Sequence, residues 1–75
     1  MTQLDVAYHY DGTLAEKTMR AVAGMREVYG VRRITFNEKE RTVRVEFDAS
    51  RLKEPVIAGL LRGAGVDIGE SLALV

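Results

Sequence analysis

Two short runs, Val31 to Asn37 (VRRITFN) and Thr42 to Asp48 (TVRVEFD), flank NEKER, a loop of charged and turn-forming residues, and this arrangement constrains the fold more than any other feature of the chain. Ile34 and Phe36 in the first run, and Val43, Val45 and Phe47 in the second, recur at period two. The spacing predicts an antiparallel hairpin with those side chains turned inward. The segments on either side must then supply the rest of the core.

Before the hairpin, LDVAYHY (Leu4 to Tyr10) alternates in the same way, with Leu4, Val6, Tyr8 and Tyr10 on one side and Asp5, Ala7 and His9 on the other. Asp11-Gly12 is a turn signal. Thr13 then offers an N-cap hydroxyl and Glu16, three residues on, the returning partner of a capping box. A helix over 13–29 is expected, burying Leu14, Thr18, Ala21, Val22, Met25 and Tyr29, with Gly30 at its left-handed end. After the hairpin, Asp48-Ala-Ser leads to Pro55, which suits a first helical turn. Val56, Ile57, Leu60, Leu61 and Ala64 make the buried stripe of a helix over about 54–64, stopped by Gly65. Val66, Ile68, Leu72 and Leu74 share even parity in a last strand, with Gly69 as a candidate bulge.

The order is strand, helix, strand, strand, helix, strand. Two strand-helix units joined by a central hairpin predict an α+β fold of the ferredoxin-like βαββαβ kind, a four-stranded antiparallel sheet with two helices on one face. The 75 residues form a single domain, 1–75, with no internal repeat or linker. Zero cysteines exclude disulfides and every thiolate metal site, so regularity or association must stabilise the chain. Eleven basic and eleven acidic residues cancel, which points away from nucleic acid and anionic lipid. Asp5 and His9 interrupt the place where a signal peptide needs an apolar run. No stretch approaches a membrane span, so no membrane insertion is expected and the cytoplasm is the default compartment.

The run GVRRITFNEKERTVRVEFDASRLKEPVIAGLLRGAGVDI resembles the second half of the heavy-metal-associated domains found in copper chaperones and in the amino-terminal arms of metal pumps. The matching pieces are Gly30-Val31 entering the second strand, Val43-Arg-Val-Glu-Phe-Asp48 ending the hairpin, and Ala64-Gly65 closing the second helix. That family carries Gly-Met-Thr-Cys-x-x-Cys at its first strand-helix junction, where two thiolates hold a soft cation. Here the junction reads Asp11-Gly12-Thr13-Leu14-Ala15-Glu16-Lys17-Thr18. Counting from Gly12 places Ala15 and Thr18 at the cysteine positions, whereas counting back from Gly30-Val31 places Leu14 and Lys17 there. The resemblance implies the scaffold and carries no metal ligand onto any residue of this chain.

Other residues at the junction suggest other chemistry. His9, Asp11 and Glu16 are candidates for a nitrogen and oxygen metal site, the alternative reading of the chain. Lys17 at the second thiol position could stand in for a bound cation, and Tyr10 could present its hydroxyl near the loop. Met19 and Met25 lie six residues apart on the expected helix and face different ways. RNA recognition on this topology would need aromatic residues on the outward face of the central strands; the outward positions are instead Asp5, Ala7, His9, Thr42, Arg44, Glu46 and Asp48. No catalytic motif or phosphate-binding glycine loop is present, so neither an enzyme nor a cofactor is expected. Interaction remains. Strand two, an edge, is guarded by Arg32, Arg33 and Lys39, but SLALV at the other edge carries no charged side chain. Ser71, Leu72, Leu74 and Val75 are therefore the expected interface for a protein partner, or for a homodimer formed by edge-strand pairing. The functional expectation is a non-enzymatic domain that has lost its thiolate site and acts as an interaction or regulatory module.

Overall fold

The structure, a computed structural model, describes residues 3–74, with Glu70, Ala73 and Leu74 described by their backbone alone. It is an α+β fold: β1 (Gln3–Asp11), α1 (Glu16–Met25), β2 (Val31–Asn37), β3 (Thr42–Asp48), α2 (Glu54–Ala64) and β4 (Asp67–Leu74). The strands form one open antiparallel sheet in the order β2-β3-β1-β4. Val6, Tyr8 and Tyr10 of β1 meet Val43, Val45 and Phe47 of β3 in a core closed by Val22 and Met25 of α1 and Ile57, Ala58 and Leu61 of α2. Both helices thus cover the same face. Each fully buried aliphatic side chain contributes roughly 1.5–3 kcal/mol, so this layer supplies most of the stabilisation.

The hairpin has the expected bounds. One detail refines it: Val31 lies opposite Phe47 and Arg33 opposite Glu46, so β2 carries an extra residue there. That bulge lets Arg32 and Arg33 both face solvent while Val31 and Ile34, three apart, are both buried. Helix α2 also matches. Proline stands in its first turn and Gly65 (φ 99°) ends it in the left-handed region, its N–H donating to the carbonyls of Leu61 and Arg62. Its buried stripe is Ile57, Ala58 and Leu61; Val56, expected inside, is 47% exposed.

Helix α1 departs from the sequence reading at both ends. It begins at Glu16, with Ala15 as an N-cap that makes no side-chain bond, and Thr13 lies exposed in the preceding loop. The capping box does not form because Gly12 (φ 79°) leads the chain through an open loop before the helix starts. Glu16 instead pairs with Arg20 at 2.7 Å, an exposed contact worth about 0.3–0.5 kcal/mol. The helix ends at Met25, and Tyr29, beyond it, is 71% exposed under the Arg51 guanidinium, which lies 4.1 Å from the ring centroid.

Strand β4 is the other correction. Tyr10 lies opposite Ile68, Tyr8 opposite Ser71 and Ala7 opposite Ala73, so β4 holds one extra residue in each interval. Gly69 adjoins the first of these bulges, as expected. That first bulge breaks the even parity, setting Ser71 opposite the inward Tyr8 and leaving Leu72 half exposed, beside Asp5 and Ala7 on the uncovered sheet face; the second restores the parity at Leu74, opposite Val6.

Candidate functional site

The junction between β1 and α1 is shaped by a residue from the far hairpin. Asn37 opens the NEKER loop by accepting the Glu40 N–H on its Oδ1 at 3.2 Å, and Arg41 closes it with φ 54°, a left-handed conformation unusual for arginine. From there the Arg41 carbonyl accepts the Tyr10 N–H at 3.0 Å, and its guanidinium donates to the Gly12 carbonyl at 2.8 Å. One residue therefore fastens the loop by backbone and by side chain. Tyr10, Gly12, Thr13, Leu14, Glu38 and Arg41 line a shallow cleft of 220 Å³. Tyr10 itself is buried, its ring meeting Phe36 edge-on with centroids 5.7 Å apart.

The expected metal candidates are dispersed. His9 is exposed opposite Thr42 on the open face, Asp11 is exposed opposite Asp67, and Glu16 is engaged with Arg20. Among the described residues no three His, Asp or Glu side chains come together. Ala15 and Lys17 are exposed, and Leu14 and Thr18 are half-buried, Leu14 against the core as expected and Thr18 beneath the end of α2, where a β-carbon on Gly65 would come 3.0 Å from its Oγ1. The Arg41 guanidinium holds a positive charge on the loop backbone, and Lys17 is exposed at the start of α1.

Asp48, placed outward by parity, is buried. Its carboxylate accepts the Ser50 hydroxyl at 2.6 Å and the Ser50 N–H at 3.0 Å, with the Arg51 Nε at 3.8 Å. The hydroxyl bond foremost, then the backbone bond, hold it below the ordinary carboxylate range. Sequence reasoning missed Arg41 and Asp48. The only signals were an Asx-type start at Asn37 and the Asp-x-Ser spacing at Asp48, both local side-chain turns rather than hydrophobic periodicity.

The uncovered sheet face is a broad concavity of 630 Å³ carrying charges of both signs, Asp5, Glu40 and Glu46 with Arg33 and Arg44, and Leu72 also lines it. Of the expected interface, Ser71 and Leu72 are exposed at the β4 edge, while the Leu74 side chain and Val75 lie outside the described residues. The two bulges cut the free edge of β4 into short stretches. No helix among the described residues is long and apolar enough to cross a membrane. No protein-family model matches this sequence, and no curated protein matches it.

Proposed function

We propose that this chain is a ferredoxin-like βαββαβ domain of the heavy-metal-associated kind whose metal loop has become a structural loop, and that it works as a non-catalytic protein-interaction module. The observation that carries the reading is the Arg41 to Gly12 bond. Where the family presents two thiolates to a cation, this chain presents a guanidinium bound to the loop's own backbone. A fixed positive charge there opposes an incoming cation, and among the described residues no group of three His, Asp or Glu side chains comes together to offset it. Interaction is supported by the β4 edge, where the bulge turns Leu72 onto the open face beside charges of both signs. The partner is a second copy or another protein, received at Leu72 and the adjoining open face, Ser71 lying on the helix side of β4; the bulges favour side-chain docking over a long backbone ladder.

Two measurements test this. Amide shifts of residues 12–18 should stay fixed on addition of Zn(II), Ni(II) or Cu(I); saturable shifts at His9, Asp11 and Glu16 would replace the reading with a nitrogen and oxygen metal site. Sedimentation equilibrium from micromolar to millimolar protein should show a dimer that Leu72→Asp abolishes. A monomer throughout leaves only the hetero-partner form, in which Leu72→Asp abolishes capture of that partner.

A further inference from the structure

A second site lies on the opposite side of β4, between that strand and α2. Here β4 bulges between Ile68 and Ser71, which pairs with Tyr8, and a cavity of 430 Å³ lies beside the bulge. Its polar lining residues are Tyr8, Glu54, Arg62 and Ser71, and Pro55 and Ala58 are apolar. A β-carbon added at Gly69 would meet nothing within 4 Å, so the wall is open there.

Two features of this cavity are not explained by folding. Tyr8 is 1% exposed, yet its hydroxyl has no hydrogen-bond partner. Buried hydroxyls without partners are costly, and this one is within the influence of two charged groups that both line the cavity, Glu54 and Arg62. Burial, then the Glu54 carboxylate, push the phenol up to about 12, so it stays a donor at neutral pH. The carboxylate stands beside the phenol as a nearby acceptor without completing a well-aligned hydrogen bond to it. The second feature is that Glu54 and Arg62 do not pair with each other. They sit eight residues apart on one helix, about 12 Å of rise, and their flexible side chains can converge on a small molecule held between them.

An acid and a base that do not pair, with a phenol donor close to both and apolar residues beside them, are complementary to a ligand bearing both charges at short range. We propose that this cavity binds a small zwitterion of the α-amino acid class, its ammonium received by Glu54, its carboxylate by Arg62 and the Tyr8 hydroxyl, and its side chain by Pro55 and Ala58. The site is separate from the Leu72 face and does not depend on it. At 430 Å³ the cavity falls in the lower part of the range for small-molecule sites.

L-valine, L-valinamide and N-acetyl-L-valine separate the charges and serve as probes, with amide shifts followed by NMR. L-valine should produce saturable shifts at Tyr8, Glu54, Arg62 and Ser71. Valinamide, lacking the carboxylate, and N-acetylvaline, lacking the ammonium, should each bind at least about tenfold more weakly, a loss of one charged contact. Glu54→Gln and Arg62→Gln should each weaken L-valine by a similar factor, and Tyr8→Phe by a smaller one. No saturable shift with L-valine at tens of millimolar overturns the proposal, as does equal response to all three probes. So does a finding that Glu54→Gln alone moves the Tyr8 ring signals as L-valine does, which would mean that Glu54 closes onto the phenol itself.

Discussion

The Arg41 guanidinium donates to the Gly12 carbonyl at 2.8 Å across 29 positions of sequence, fastening the tip of the β2-β3 hairpin to the loop that precedes α1. Arg41 adopts its left-handed φ of 54° in the same place, so the contact is made at a local backbone cost.

Arg41→Ala removes the bond and keeps the cost. It should destabilise the domain by about 1 kcal/mol and speed amide exchange at Gly12 to Leu14. Arg41→Gly removes both, and should lose less than the alanine variant. Equal losses in chemical denaturation would show that the backbone conformation is unimportant there.

Asp48 links stability to acid. Its folded carboxyl lies below the ordinary value, so its contribution is fully present above the unfolded pKa of about 3.9 and is lost as pH falls through the lower folded value. Asp48→Asn should lower the thermal midpoint at pH 7 and reduce the further fall between pH 4 and the acid limit. An unchanged acid limb would assign that sensitivity to other carboxylates.

Ala15 occupies an N-cap position with φ −72° and ψ 157°, the conformation in which serine or aspartate accepts a helix N–H, yet it has no side chain to do so. Ala15→Asp should stabilise the domain by about 0.5–1 kcal/mol. Thr13→Ala, at the position the sequence favoured as cap, should change stability by less than about 0.5 kcal/mol. The reverse order would restore the capping box.

Tyr8→Phe removes a hydroxyl that has no partner in a site where the ring is 1% exposed. Without added ligand the variant should be as stable as the parent or up to about 1 kcal/mol more stable. A loss of that size would reveal a bond to Glu54 in solution.

Legibility in the sequence followed the kind of interaction involved. The hairpin and α2 were readable because Ile34, Val43, Val45 and Phe47 alternate strictly and because Pro55 and Gly65 punctuate the second helix. Helix α1 misled at both ends: Thr13 and Glu16 fit a capping box, and Tyr29 falls at helical spacing, but the chain is extended before Glu16 and turns after Met25. Nothing local marks those limits. Leu72 was misplaced because a bulge shifts parity without leaving a signature beyond one glycine. Arg41 and Tyr8 act through residues distant in sequence, Gly12 in one case and Glu54 and Arg62 in the other, and pattern reading along a chain does not see such pairs.

Asp48 does more than hold Ser50. Its N–H donates to the Gly30 carbonyl at 2.7 Å, and its own carbonyl accepts the N–H groups of Arg51 and Leu52, both at 3.0 Å. Leu52 in turn lies 3.0 Å from where a β-carbon on Gly30 would sit. The exit from α1, the end of β3 and the approach to α2 therefore meet at one residue. Such a knot cannot open strand by strand: freeing Gly30 also frees Leu52, so the amides of Asp48, Arg51 and Leu52 should exchange with one common opening free energy, as a single cooperative unit spanning both halves of the chain.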